Sequence, residues 1–250
     1  MIRVLVNRLS LLAVSVVALI SSNIALAQSY SVDSDVGVSA EELFTACAFC
    51  HGPQAQGGPA VDAPPLAGME AWYIERQLNA FKNRTRGSHP EDVPGLQMSI
   101  VSGMTRNEAT VKNIAEYLSN LEPGAPAELY NGEPITNAQR NYIWQSKYAV
   151  LDHPEPADVA AGQQIYTSTC LACHGAEAQG NEGLGAPKLT SLPDWYMHRQ
   201  LQYFREGVRG NNAQDIYGVQ MATMAKILAD EQAIANVTAY VQSLGADNNE

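Results

Sequence analysis

Cys47-Ala48-Phe49-Cys50-His51-Gly52 and Cys170-Leu171-Ala172-Cys173-His174-Gly175 decide the reading of this 250-residue chain. Each is a Cys-x-x-Cys-His run, the attachment pattern of a c-type haem. The chemistry requires that spacing. Two thiols add across the two vinyl groups of the porphyrin, and the adjacent imidazole is then held where it can ligate the iron. One such pentapeptide also suits a thioredoxin-like redox pair or half a zinc site. Two of them in matching surroundings, using all four cysteines of the chain, point to two covalently bound haem c groups.

Working outward from these runs, a shift of 123 residues carries Cys47 onto Cys170, and the register then holds without a gap. Pro64 and Leu66 fall on Pro187 and Leu189, Trp72-Tyr73 on Trp195-Tyr196, and Arg76-Gln77-Leu78 on Arg199-Gln200-Leu201. Phe81 falls on Phe204, Arg86-Gly87 on Arg209-Gly210, Gly95 and Met98 on Gly218 and Met221, and Tyr117 and Leu121 on Tyr240 and Leu244. The chain therefore holds two copies of one domain. We divide it into a signal peptide at 1–27, a first domain at 28–122, a connection at 123–157 and a second domain at 158–250.

The coarse structure is helical. Ile74, Leu78 and Phe81 share one face of a helix over 72–82, as Met197, Leu201 and Phe204 do in the second copy; this is the stripe of a half-buried helix. Val111, Ile114 and Leu118 predict a last helix over 107–120, echoed by Ile234, Val237 and Val241. Between the cysteines and the first of these helices, Gly57-Gly58-Pro59 and Ala63-Pro64-Pro65 read as loop. Strand signals are weak, so the expected class is all-α. The connection has prolines at both ends, but Tyr130, Tyr142, Ile143, Trp144, Tyr148 and Val150 make it too apolar for a plain linker. It reads as a segment packed on the domains, or as a docking surface for a partner.

Export follows from the first residues. Arg3 and Arg8 precede and flank an apolar run from Leu9 to Ile20, and Ala25-Leu26-Ala27 forms a cleavage site before Gln28. An uncleaved anchor is the competing reading, since the run approaches the roughly 20 residues that span a bilayer. The expected location is the periplasm, with membrane association only through a partner or such an anchor. The net charge of −11 makes nucleic acid and anionic lipid poor partners and a basic patch on a redox protein a suitable one.

Domains of this size with few aromatic residues have thin cores, and a covalently held haem supplies the missing apolar volume. The sixth ligand is a histidine or a methionine. His89, His153 and His198 lack counterparts in the other copy and read as exposed polar surface. Met98 and Met221 each follow their histidine by 47 residues, beside Gly95 and Gly218, so they are the candidate ligands with His51 and His174. Met104 and Met224 are the alternatives. A ligating histidine usually donates its other ring N–H to a carbonyl, and Pro64 and Pro187 each lie 13 residues after theirs. Arg86 and Arg209 suit a haem propionate, or are solvated charges.

These residues resemble the dihaem cytochromes c of the cytochrome c₄ family. The resemblance rests on the tandem Cys-x-x-Cys-His domains, the Pro-x-Leu segments, Tyr73 to Leu78 with Tyr196 to Leu201, and Met221 to Met224 before Leu228. It covers most of Val36 to Leu244, excepting the connection. It implies two class I cytochrome c folds about a pseudo-twofold axis, ligation by His51 with Met98 and His174 with Met221, and periplasmic electron transfer toward terminal oxidases. The Leu228 position is Thr105 in the first copy, a departure from the pattern.

The leading expectation is an electron carrier, not an enzyme, between a quinol-oxidising complex or dehydrogenase and a terminal oxidase or reductase. One alternative is an electron-transfer subunit held in a larger oxidase or dehydrogenase complex; no Gly-x-Gly-x-x-Gly run places a flavin on this chain. The other is a dihaem enzyme such as a thiosulfate dehydrogenase or a peroxidase, which requires an open or exchangeable iron position.

Overall fold

A computed structural model describes residues 38–58, 61–123 and 156–246. The signal segment, the aromatic residues of the connection and His153 lie outside the described residues.

In the first copy α1 (Ala40–His51) carries both cysteines and ends on the histidine. Its start is written in Ser39-x-x-Glu42, a capping box in which the Ser39 hydroxyl accepts from the Glu42 amide and the Glu42 carboxylate accepts from the Ser39 amide. A loop leads to α2 (Ala71–Lys82), then α3 (Val93–Val101) with a 3₁₀ turn Ser102–Met104, then α4 (Glu108–Ser119). The helices expected over 72–82 and 107–120 are thus present, the latter between Asn107 and Asn120 as caps. The second copy repeats the order with α5 (Val159–Ile165), α6 (Leu171–His174), α7 (Asp194–Glu206), α8 (Ile216–Ala225) and α9 (Glu231–Ala246). No strands form among the described residues, only the isolated bridges Gly58 to Ala63 and Asn181 to Ala186 at matching loop positions.

Within each copy the N-terminal helix crosses the C-terminal one. In the second, Gly162 lies so close to α9 that a Cβ there would stand 2.0 Å from the Asn236 carbonyl oxygen, so only glycine permits the crossing. The crossing is buttressed by an aromatic pair in both copies: Phe44 with Tyr117, centroids 5.8 Å apart, and Tyr166 with Tyr240, 5.4 Å apart.

That pair exposes a difference. Tyr117 and Tyr240 keep the 123-residue offset, but Phe44 and Tyr166 are 122 apart. The extra residue is absorbed by a π-helical turn, Tyr166–Cys170, that joins α5 to α6; such a turn takes one residue more than an α-turn. The first copy runs through the same region as an uninterrupted α-helix.

The apolar core is continuous across both copies, taking in Phe44, Ile74, Ile114 and Leu118 of the first and Tyr166, Trp195, Ile234 and Val241 of the second. The contacts between copies are reciprocal. Arg76 Nη2 donates to the Gly185 carbonyl at 2.8 Å, and Arg199 Nη2 donates to the Asp62 carbonyl at 3.2 Å. Arg76 and Arg199 are repeat partners, as are Asp62 and Gly185. Exchange of equivalent contacts of this kind is the mark of a twofold relation. Asp62 and Gly185 share a left-handed backbone, with φ of 61° and 67°, so the turn that receives the arginine has the same shape in both. The Asp62 side chain adds an ion pair, Arg199 Nη1 to Oδ1 at 2.8 Å, which glycine at 185 cannot offer.

Candidate functional site

The ends of α1 and α6 deliver the histidines into the interior. His51 and His174 are buried, and each has Nδ1 against a proline carbonyl: Pro64 at 2.8 Å and Pro187 at 2.9 Å. A carbonyl can only accept, so Nδ1 carries the proton and Nε2 keeps its lone pair for a metal. Burial pushes both imidazoles toward the neutral form, and the carbonyl bond opposes it in part. A neutral imidazole is the form that ligates.

The surroundings of Cys47 and Cys170 do not suit a thioredoxin-like redox pair. Burial, with the neighbouring sulfur, pushes the Cys47 thiol up and that of Cys170 up to about 11. A thioredoxin-type nucleophile needs the opposite shift. No cluster of three His, Cys, Asp or Glu side chains that suits a metal ion occurs among the described residues.

Against His174 lies a cavity with about 1260 Å³ of space free of protein atoms, open solvent included. Cys170, Cys173, His174 and Pro187 form one side of it, and Met221 and Met224 are on its wall. Both methionines stand on α8, which is capped by Asp215, whose carboxylate accepts from the Gly218 amide. Met98 is half-buried on α3, whose cap Asp92 accepts from the Gly95 amide. The alternatives differ in exposure: Met104 is 59% exposed and Met224 is 37% exposed. Gly87 and Gly210 let these helices approach, since a Cβ on either would lie 2.2 Å from the Gly95 or Gly218 carbonyl.

The cavity is not built by the second copy alone. Tyr73, Arg76 and Gln77 of α2 line it too. They belong to a polar cluster at the junction of the copies. Arg86 donates to Gln77 Oε1 at 2.5 Å, to Tyr196 Oη at 3.0 Å and to Gln200 Oε1 at 3.1 Å. Arg209 donates to Gln200 Oε1 at 2.6 Å and to Gln77 Oε1 at 3.1 Å. Burial works to raise the Tyr196 phenol, but Arg86, Arg209 and Arg199 outweigh it and hold it below its usual value.

Arg86 and Arg209 are only 8% exposed, which removes the reading of them as solvated charges. Each lies over a phenylalanine, Phe81 or Phe204, at 4.4 Å. Each has a buried Nε with no protein acceptor. A buried guanidinium N–H requires an acceptor, and a haem propionate is a suitable one. The apolar wall, the paired thiols, the neutral imidazole and the orphaned guanidinium donors all fit a haem.

His198 is a correction. Read from the sequence as exposed surface, it is 2% exposed. Its Nε2 donates to the Glu231 carboxylate at 3.0 Å, and Arg205 holds the other oxygen of that carboxylate. Its place on the inner face of α7 puts it in the core, and the buried imidazole is tolerated because the acid pairs with it. His89, by contrast, sits in a surface turn, where the Glu91 amide donates to its ring. Sequence reasoning also missed Gln77, Gln200, Arg76 and Arg199. Their signal was available: polar residues recurring at matching places in the middle of a half-buried helix.

The family model for cytochrome c matches this chain twice, at residues 38–122 and 159–245. The chain is similar to cytochrome c4 of Azotobacter vinelandii, 26% identical over 79% of this chain and 84% of that one. It is also similar to the thiosulfate dehydrogenase electron acceptor of Stutzerimonas stutzeri strain A1501, 28% identical over 80% of this chain and 79% of that one. In fold it is similar to the crystal structure of reduced recombinant cytochrome c4 from Pseudomonas stutzeri, with a TM-score of 0.55 and 23% identity over 81% of this chain and 95% of that one. A doubled family match, two Cys-x-x-Cys-His attachment sites and a mostly helical tandem fold lead to one conclusion: the chain belongs to the cytochrome c family, as a dihaem, cytochrome c4-like electron-transfer protein with two covalently bound haem c groups.

Proposed function

We propose that this protein is an exported electron carrier whose irons are both closed by protein ligands, His51 with Met98 and His174 with Met221. It works in the periplasm, taking electrons from a quinol-oxidising complex or a dehydrogenase and passing them to a terminal oxidase or reductase. Bound haem supplies the one-electron couple. The rest falls to the chain: Pro64 and Pro187 fix the imidazoles, α3 and α8 bring up the methionines, and Arg86 and Arg209 neutralise propionate charge. Methionine ligation favours a high potential, which suits delivery to an oxidase. The domain limits read from the repeat and the export signal at 1–27 are part of this reading. No helix among the described residues is long and apolar enough to cross a membrane.

The observation that carries the reading is the junction itself, where α2 of the first copy helps to wall the second haem cavity. A haem held in that cavity would lie against the first copy, an arrangement that suits electron exchange between the two haems. The test is a redox titration of the holoprotein followed optically. Two haems per chain, both showing the near-infrared band of methionine-ligated ferric iron, support the carrier; a high-spin haem, or rapid carbon monoxide binding by one reduced haem, favours an enzyme instead.

A second reading has an observation of its own. A thiosulfate dehydrogenase electron acceptor of Thiomonas intermedia strain K12 is 41% identical over 85 residues, and the FixP subunit of a cbb3-type oxidase from Bradyrhizobium sp. strain ORS 278 is 26% identical over 203 residues. Such relatives support a subunit of a larger oxidase or dehydrogenase complex. Purification from native membranes and periplasm separates the two: a free carrier is recovered alone, a subunit with its partner.

A further inference from the structure

The two copies hold their proximal histidines with the same proline carbonyl but support the surrounding loop differently. In the second copy the Tyr166 hydroxyl donates to the Gly175 carbonyl at 2.7 Å. Tyr166 is 1% exposed and lies on the cavity wall. Gly175 directly follows His174, and its carbonyl also receives the Ala178 amide at 3.2 Å. The Ala178 carbonyl in turn receives the Leu189 amide at 2.9 Å, two residues beyond the Pro187 carbonyl that faces His174 Nδ1. A short chain of hydrogen bonds therefore runs from the Tyr166 phenol to the segment that orients the ligand. The first copy has the same loop, with Ala55 donating to Gly52 at 3.0 Å and Leu66 to Ala55 at 2.8 Å. At the ring position of Tyr166, however, it has Phe44, which offers no hydroxyl.

We propose that Tyr166 is a positioning residue for the second haem, acting through the Gly175 loop on the bond between His174 and Pro187, and that it makes the two irons inequivalent. Tyr166 opens the π-helical turn Tyr166–Cys170, which sets one extra residue between the aromatic pair and the cysteines. The physical lever is the strength of the Nδ1–H bond to the Pro187 carbonyl. A firmer bond makes the imidazole a stronger donor to iron, which favours the ferric state and lowers the potential. The inference rests on the assignment of His174 as the ligand.

The experiment uses the full dihaem protein and titrates the two haems separately, with proton NMR of the hyperfine-shifted ligand resonances. In Tyr166→Phe, the potential of the second haem rises and the His174 ring resonances move, while the first haem stays put. In Phe44→Tyr, the added phenol reaches toward the Gly52 carbonyl, and the first haem's potential falls. A Tyr166→Phe protein that melts earlier but keeps its second-haem potential and His174 resonances overturns the inference, as does an equal shift at both haems. Where Tyr166→Phe fails to retain its second haem, Phe44→Tyr decides, and an unmoved first-haem potential overturns it. An unmutated protein whose second haem shows no His174 resonances sinks the ligand assignment itself, a failure visible before any variant is made.

Discussion

Downstream of their histidines the two copies are nearly interchangeable, and upstream they are not. From His51 to Leu121 and from His174 to Leu244, the loop, the proline acceptor, the buried arginine and the capped methionine helix recur at one offset. Before the cysteines, one copy has a straight helix opened by a capping box, the other a longer approach with a π-turn, a glycine crossing and a tyrosine in place of Phe44. The difference shows which part of the domain the haem dictates. On the proposed ligation, the groups that would meet the haem are held to one geometry, while the helix that brings the thiols is built differently in each copy.

The largest effect tests whether each half needs its haem. Replacing Cys170 and Cys173 together by alanine removes the only thiols of the second copy and leaves the cavity of α7, α8 and α9 without its apolar filling. We expect one haem per chain by pyridine haemochrome assay and loss of cooperative melting in that half. The first half should also weaken, since its Arg86 and Arg76 dock on the second. A native-like, cooperative transition in the doubly substituted half would show that the protein core suffices alone.

A smaller effect probes the helix crossing. Gly162→Ala forces a Cβ against the Asn236 carbonyl, and overpacking of this kind costs about 1–3 kcal/mol. With the π-turn taken into account, the first copy already carries Ala40 at the matching place. We therefore expect the second half to melt earlier and the first to be unmoved, read from haem-specific spectral changes during denaturation. Equal loss in both halves would mean that the crossing is shared rather than local.

Much of this was legible in the sequence. The repeat, the haem attachments and two helices of each copy follow from spacing alone, because periodic apolar faces and covalent chemistry leave marks a few residues apart. The helices bearing the cysteines and the methionines went unread. Their apolar residues form no clean stripe: on α1 Phe44 is buried but Phe49 is exposed, and on α3 Val93 and Ile100 are exposed. End signals were present in both cases, Ser39-x-x-Glu42 for α1 and Asp92-Val93-Pro94 for α3. The π-turn was out of reach, since an offset read after the cysteines says nothing about one lost before them. The burial of His198 was hidden for a different reason. Its counterpart is Glu75, so the repeat carried no hint that a half-buried acid, Glu231, waits for it 33 residues on.

The smallest effect uses pH to separate the helices that lead into the two cysteine pairs. Glu42 sits at the exposed start of α1, where the Ser39 amide, and then its hydroxyl, hold the carboxylate below its usual value of 4.5. A carboxyl whose folded value is depressed stabilises the fold above its unfolded pKa and loses that contribution as pH falls through the folded value. Stability of the first half should therefore decline as pH drops below about 4.5, more so than if the cap were neutral. Glu42→Gln keeps an acceptor for the Ser39 amide but removes the charge, so the variant should be slightly less stable near neutrality and should show a flatter acid limb. Amide exchange across Ala40–His51 between pH 3.5 and 6 measures it, with α5 as the internal reference because its cap, Asp158, is unchanged. An acid limb of the same steepness in the variant would assign the decline to other groups and leave the capping box with a purely local role at the helix start.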